Sequence, residues 1–316
     1  MLYYRGNDVQ FNEYLKSCRE NQTLTQEELV GRLYTYDIDN FGGLDTSTLS
    51  KWERSITQPK VAKQVAIMKY FQELTGDSLP CINHPSLEEA EALVCKKAVQ
   101  NILGKNKQII FNFPSEFMSL DDMVIAPLRH FERMDVFIEG NMHIQQGFNH
   151  PYTYTSKEQI KEWSMHPSSL FFACEYKDAF LGLFFSLKLK PEIFNKIVNF
   201  EMRNSDLTVD DFASSEEQGS ILMLSFFAMN DKAAMMLVIR YVAHLIANQD
   251  TIVEIGVVTS NAEAIKITDR VNILHHESIT TEDHQKIQSL KQTLPNILAS
   301  EYILKMLLSK QKCPEE

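Results

Sequence analysis

Two short helices predicted in close succession near the N-terminus constrain the fold of this chain more than any other feature. Residues 25–29 read Thr-Gln-Glu-Glu-Leu, in which a threonine and a glutamate three residues later form a capping box. Residues 48–54 read Thr-Leu-Ser-Lys-Trp-Glu-Arg, and Asp45 is placed to cap the helix that contains them. Small polar and basic residues share one side of this second helix. The pattern therefore predicts a helical bundle with one polar helix face exposed.

Helical periodicity extends through the first hundred residues. The predicted helices cover residues 12–21, 25–33, 45–55, a stretch opened by Pro59, and 86–103. Residues 34–43 contain two aspartates, an asparagine and two adjacent glycines, which predicts a loop. Residues 79–85 contain two prolines and are predicted to be a linker.

From about residue 108 the pattern changes to alternating strands and helices. Strands are predicted at residues 109–111, 123–125, 170–175, 180–187, 221–229 and 252–258. Helices are predicted at residues 131–139, 156–165, 233–248 and 262–271, with two more over 281–310 that are broken by Pro295. The predicted fold class is therefore α + α/β. Its parts are a helical domain (1–79), a linker and connecting helix (80–107), a mixed α/β domain (108–280) and C-terminal helices (281–316).

The chain is acidic overall but carries one basic patch. Its formal net charge of −11 argues against a protein that coats nucleic acid. Residues 48–70 hold five basic residues and one acidic residue, a local charge of +4 (5 − 1). The basic residues are Lys51, Arg54, Lys60, Lys63 and Lys69. A confined positive patch on an acidic chain indicates focused contact with DNA.

Other classes of protein are disfavoured by the sequence. No apolar run approaches the roughly 18 residues that span a bilayer, so no membrane association is expected. The five cysteines are scattered and lack C-x-x-C or Cys/His ligand spacing, which predicts neither a zinc site nor a disulfide framework. The first residues lack the apolar stretch of a signal peptide. We therefore expect a cytoplasmic protein without a metal site.

Residues 11–71 resemble the Cro/C1, or XRE-type, helix-turn-helix family of transcriptional regulators. The matching residues are Arg19, Thr25, Gln26, Leu29 and the run 48–53. The resemblance implies that the second helix enters the major groove of double-stranded DNA. The side chains that it assigns to DNA are Gln26, Thr46, Ser47, Thr48, Lys51 and Arg54. It also implies a buried ion pair between Arg19 and Glu53, which ties the first helix to the recognition helix.

Within this assignment the contacts differ in kind. Thr46, Ser47 and Lys51 correspond to positions that reach base edges, whereas Gln26 and Arg54 correspond to phosphate contacts. The resemblance further implies a palindromic operator and a homodimer. One departure is the connection between Leu33 and Leu44, which is longer than the tight turn of the family. The alternative is a helical bundle that contacts proteins and not DNA.

Residues 120–280 resemble the GNAT N-acetyltransferase fold, which implies a central, mostly antiparallel sheet. The resemblance rests on Ile125-x-Pro127-Leu128, on the hairpin at 171–182 and on Asn261-x-x-Ala264-x-x-Ile267. Active members bind acetyl-CoA at a strand-to-helix turn whose free backbone N–H groups hold the pyrophosphate. Acetyl-CoA or acyl-CoA is therefore the implied ligand. The candidate ligand-binding residues are Met229, Asn230, Lys232, Ala233, Ala234 and Asn261.

Two departures from the acetyltransferase pattern argue against catalysis. Lys232 stands where the family has its central glycine, and only Ala234 matches the phosphate motif. The family's tyrosine, which protonates the leaving thiolate, falls at Thr268, whose hydroxyl is far too weak an acid. No catalytic residue is therefore assigned.

Three functions fit these observations. The first is a transcriptional regulator whose GNAT-like domain senses a ligand or mediates dimerisation. The second is an active GNAT-family acyltransferase tethered to a DNA-binding domain. The third is an interaction module, such as an antitoxin-like partner of another protein. The first is favoured because it accounts for both the helix-turn-helix pattern and the degraded acetyl-CoA motifs.

Overall fold

Two compact units make up the chain, and each is assembled from segments that are distant in the sequence. The computed structural model describes residues 10–82, 85–103, 109–111, 113–148, 155–282 and 284–308. The helical unit consists of Met1–Asn101, Val242–Gln249 and Pro295–Glu316. The sheet unit consists of Ile102–Tyr241 and Asp250–Leu294.

The first hundred residues form a succession of helices. They are α1 (Phe11–Asn21), α2 (Gln26–Tyr36), α3 (Ile38–Phe41), α4 (Thr46–Glu53), α5 (Val61–Thr75), α6 (Leu87–Leu93) and α7 (Lys96–Leu103). Two of the starts follow directly from the sequence. The predicted capping box forms between Thr25 and Glu28, and the Asp45 carboxylate accepts a 2.6 Å hydrogen bond from the backbone N–H of Thr48. Local chemistry therefore decides where α2 and α4 begin.

Residues 34–43, predicted to be a loop, are mostly helical. α2 continues to Tyr36, and α3 begins after a single residue. Asp37 caps α3 by accepting a 3.0 Å hydrogen bond from the backbone N–H of Asn40, and Phe41 is fully buried. The loop prediction was wrong because a capping aspartate and a buried aromatic ring fix this segment as a helical turn. The predicted helix over 86–103 likewise divides into α6 and α7, since Val94 is extended.

Seven strands within the described residues form one mixed sheet. They are β1 (Met123–Pro127), β2 (Leu170–Tyr176), β3 (Ala179–Leu189), β4 (Gly219–Ala228), β5 (Ile252–Thr259), β6 (Leu274–Thr280) and β7 (Lys286–Thr293). The strand order is β1-β2-β3-β4-β5-β7-β6. All neighbours are antiparallel except β4 and β5. The predicted fold class is confirmed in its architecture: a helical region is followed by a mixed α/β region with a mostly antiparallel sheet.

Five helices accompany the strands in the chain. They are α8 (Met134–Phe148), α9 (Lys157–Met165), α10 (Pro191–Val198), α11 (Asp231–Ala247) and α12 (Ala262–Arg270). Aromatic side chains dominate the core of the sheet unit: Phe171 and Phe185 stack with ring centroids 4.3 Å apart, and Trp163 is fully buried. Such ring pairs stabilise the core beyond the area that they bury.

Residues 281–293 were predicted to be helical, and the structure corrects this. β7 covers Lys286–Thr293 and pairs with β5 on one side and with β6 on the other. The spacing of Ile287, Leu290 and Leu294 imitates a helical repeat, but the backbone of β7 hydrogen-bonds to both neighbouring strands. The long-range pairing of a central strand overrides such a local pattern.

Of the region predicted to hold two helices over residues 281–310, only the part from Leu294 to Leu308 is helical, and Pro295, predicted to separate the helices, lies inside the first one observed. α13 (Leu294–Leu298) and α14 (Glu301–Leu308) follow β7 directly. The Gln72 side chain on α5 donates hydrogen bonds to the carbonyl oxygens of Ser78 (2.7 Å) and Pro295 (2.8 Å). Ile297 and Leu298 are buried, so the apolar residues of this region pack within the chain.

Candidate functional site

α4 exposes polar side chains on one side and buries apolar ones on the other. Thr46, Ser47 and Lys51 are exposed, and Thr48 is half-buried. Leu49 is fully buried and Trp52 is 6% exposed. The helix therefore holds a polar face outward and packs an apolar face against its own unit.

A charged network fixes the C-terminal end of α4 to α1. The Arg19 Nε lies 2.6 Å from Glu53 Oε1, and its Nη2 lies 3.1 Å from Oε2, which is a two-pronged contact. The side chains are only 13% and 4% exposed. The hydrogen bond that Arg19 donates to Glu53 raises the pKa of Arg19, and the negative charge of Glu53 adds to the effect. The two residues assigned to an ion pair are thus in contact.

Gln26 belongs to the same network. Its side-chain amide, predicted to contact a phosphate, donates a 2.7 Å hydrogen bond to Glu53 Oε2. This contact ties the first turn of α2 to α4. The side chain therefore positions the exposed helix, and phosphate contact remains a prediction.

The basic patch continues beyond α4. Arg54 is exposed and its Nε donates a 3.2 Å hydrogen bond to the backbone carbonyl of Ser50. Lys60 is the exposed residue before α5, and Lys63 lies in the first turn of that helix. The four basic side chains nearest to α4 in sequence therefore come from α4, its C-cap and the start of α5.

The second candidate site lies where β4 and β5 part. These strands pair in parallel only as far as Met223 and Val257. Beyond that point a segment that precedes the sheet pairs with β4: Ala228 N–H donates to Ile109 O (3.0 Å), and Phe111 N–H donates to Ala228 O (2.8 Å). A parallel bridge joins Ile110 and Ala228. The chain itself therefore occupies this edge of β4.

The same segment reaches the turn before α11. We call residues 109–118, apart from residue 112 which lies outside the described residues, the edge segment. Phe113 N–H donates to the carbonyl of Met229 at 2.8 Å, and the Lys232 ammonium donates to the carbonyl of Met118 at 2.7 Å. The Met229 N–H donates to Leu181 O at 2.7 Å. Lys232 therefore stabilises the edge segment in this arrangement.

The N-terminus of α11 is capped from within. The Asn230 side-chain oxygen accepts a 2.9 Å hydrogen bond from Ala233 N–H, and the Asn230 carbonyl accepts one from Ala234 N–H at 3.0 Å. These are the groups that the resemblance assigns to a pyrophosphate. The structure brings Met229, Asn230, Lys232, Ala233 and Ala234 together. The N–H groups of Met229, Ala233 and Ala234 and the Lys232 ammonium are hydrogen-bonded within the chain, so a bound phosphate would compete with these contacts.

α12 offers no acid for a leaving thiolate. The Thr268 hydroxyl is buried and lies 3.0 Å from Ala264 O and 2.9 Å from Ile265 O, so it donates to its own helix. Asn261 caps α12 by accepting hydrogen bonds from Glu263 N–H (2.8 Å) and Ala264 N–H (3.2 Å). Both residues therefore have structural roles here.

The edge segment is the feature that the sequence did not reveal. Residues 109–111 were predicted to be a strand, but nothing local indicated β4 as their partner.

The described residues contain no cluster of three His, Cys, Asp or Glu side chains arranged to hold a metal ion. Among their helices, none has the length and apolar character needed to cross a membrane.

Comparison with known proteins finds similar solved structures at low identity. Ard1 from Thermoplasma volcanium is 14% identical over 54% of this chain and 97% of its own, with a TM-score of 0.34. FeeM, an N-acyl amino acid synthase from uncultured soil microbes, is 11% identical over 56% and 94%, with a TM-score of 0.38. An agmatine N-acetyltransferase mutant in its apo form is 10% identical over 54% and 100%, with a TM-score of 0.35.

No protein-family model and no curated protein matches the chain. Because every TM-score reported above is below 0.5, these likenesses carry no function to this chain.

Proposed function

We propose that this protein is a DNA-binding transcriptional regulator of the Cro/C1 type. The observation that carries the proposal is the exposed polar face of α4, with Lys51 and Arg54 at its end, braced by the contact between Arg19 and Glu53. Basic side chains on a rigid helix can neutralise phosphates and donate to guanine acceptors. The partner is double-stranded DNA with a palindromic operator, read by a homodimer.

Selection of DNA from a random pool tests this proposal. The full-length chain is expected to enrich a two-fold symmetric motif whose half-site centres are about one helical turn apart, and to shift it in a gel. Light scattering is expected to give twice the 36.4 kDa mass of one chain. Recovery of no motif in low-salt buffer, where phosphate contacts are strongest, would refute DNA binding.

The sheet unit has, in our proposal, a regulatory and not a catalytic role. Two observations support it: the edge segment takes the N–H and carbonyl hydrogen bonds of Ala228 at the end of β4, and Thr268 donates to its own helix. Sensing a ligand such as acyl-CoA would require the edge segment to leave β4. Dimerisation through the sheet unit would leave the edge segment in place.

An acyltransferase activity is the second candidate, and it gives a clear prediction. We expect no acetyl-CoA turnover with a panel of small amines and protein lysines, assayed beside an active acetyltransferase as a positive control. We also expect acetyl-CoA to raise Tm by less than about 1 °C, because a site that is closed by the chain itself gains no ligand contacts. Turnover above that of heat-denatured protein would contradict the regulatory assignment and favour the enzyme.

A further inference from the structure

One side of α1 brings two cysteines together. The Cys18 Sγ lies 3.8 Å from the carbonyl oxygen of Pro80, and the Asn21 side-chain amide donates to Cys81 Sγ at 3.5 Å. Each thiol also shifts the pKa of the other, as expected for two neighbouring side chains. Cys18 and Asn21 are three residues apart and therefore lie on the same side of the helix. Both anchor the segment that follows α5.

The two thiols differ in reactivity. Cys18 is fully buried, and this burial raises its pKa far above the ordinary value. Cys81 is half-buried, and hydrogen bonds from Cys18, and then from Asn21 and Ser17, lower its pKa. The thiolate is the nucleophile, and a lower pKa gives Cys81 the larger thiolate fraction, so Cys81 reacts first. Cys18 is the second thiol, beside it.

The backbone conformation of Cys81 is also unusual. Its φ of +66° lies in the left-handed region, which is uncommon for a residue with a side chain. The turn that contains Cys81 thus keeps its thiol against α1 at a cost in backbone energy.

We propose that Cys18 and Cys81 form a hydroperoxide-reactive pair that closes to a disulfide. The Cys81 thiolate attacks the peroxide O–O bond and becomes a sulfenic acid, while the peroxide leaves as an alcohol, or as water when the oxidant is hydrogen peroxide. The Cys18 sulfur then attacks the Cys81 sulfur and water leaves. Two thiols and one hydroperoxide thus give one disulfide, one alcohol and one water. This site does not depend on DNA binding.

Peptide mapping of oxidised protein tests the proposal. The full chain, with Cys313→Ser to remove a terminal thiol, is treated with hydrogen peroxide at pH 8, alkylated and digested without reductant. We expect a linked Cys18–Cys81 peptide pair, lighter than its two thiol peptides by two hydrogen atoms. Tm is expected to rise by roughly 5–10 °C, because the crosslink restricts the unfolded chain.

Two other cysteines serve as internal controls. Cys95 is half-buried and lies in the same unit, so Cys95→Ser is the matched variant and should leave the linked peptide unchanged. Burial raises the pKa of Cys174 to about 12, so its thiol should resist oxidation at pH 8.

The variants separate the roles of the two sulfurs. In Cys18→Ala we expect Cys81 to proceed to sulfinic acid, since no second thiol captures the sulfenic acid. In Cys81→Ser we expect Cys18 to stay reduced. The proposal would be overturned if Cys81 of the parent protein is oxidised without formation of a linked peptide. It would also be overturned if Cys81 is oxidised at the same rate as Cys95. Both measurements use the parent protein, so neither depends on the folding of a variant.

Discussion

Replacing Lys51 and Arg54 together by alanine is expected to lower affinity for the selected DNA site by about 100-fold. Each side chain is exposed at the end of the polar face of α4, and loss of one such contact costs about tenfold when it donates to a base or a phosphate. Gel shift or fluorescence anisotropy at fixed salt measures the change. If both side chains contact phosphates, the slope of a plot of log affinity against log salt concentration should become less negative by up to about 2.

The matched control removes two positive charges elsewhere in the helical unit. Lys96 and Lys97 are exposed on α7, and their double alanine variant changes the net charge by the same amount. We expect the DNA affinity of this control variant to stay within about threefold of that of the parent, because it changes only the long-range electrostatic potential of the protein. Equal losses in the two double variants would mean that overall charge, and not the face of α4, governs binding.

Arg19→Ala is expected to destabilise the helical unit by about 3 kcal/mol. The Glu53 side chain is only 4% exposed, so removal of the guanidinium leaves a buried carboxylate for which, among the described residues, the Gln26 amide is the remaining side-chain donor. Urea unfolding followed by Trp52 fluorescence measures the change in a Trp163→Phe background. Since Trp52 lies on α4 beside Glu53, its signal reports the affected helix.

An exposed ion pair on the same helix provides the comparison. Lys16 and Glu20 are 3.9 Å apart and more than half exposed, so Lys16→Ala should change stability by less than about 0.5 kcal/mol. Replacing both Arg19 and Glu53 by apolar residues should recover much of the loss, because no unpaired charge remains. An Arg19→Ala protein that unfolds at the parent's urea concentration would exclude a bracing role for the pair.

The helical unit was predictable where local chemistry decides the structure. The caps at Thr25 and Asp45 and the apolar positions Leu29 and Leu49 are properties of a few neighbouring residues. α3 was missed because glycines and aspartates are typical of both loops and helix ends, and only the burial of Phe41 distinguishes them. The candidate DNA-binding residues could be named because the resemblance assigns roles to positions on α2, on α4 and at the C-cap of α4.

The ligand site was predictable only in position. The sequence located the turn before α11, where the resemblance to acetyltransferases places Lys232 at the position of a glycine. It could not show that Met118 accepts the hydrogen bond of that lysine, since the two residues are far apart in the chain. The same limit applies to β7, whose strand state depends on β5 and β6.

By itself, the sequence determined the starts of α2 and α4, the basic patch, and most of the strands and helices through residue 271, although α3 and α10 were not predicted. These depend on interactions within about one helical turn or one strand, which composition and spacing encode. Only the tertiary structure decided that residues 109–111 pair with Ala228 at the end of β4, that residues 286–293 are a sheet strand, and that Cys18 meets the segment that contains Cys81. Each of these brings together residues that are distant in sequence, and their pairing depends on the backbone hydrogen bonds and burial that the whole fold makes available.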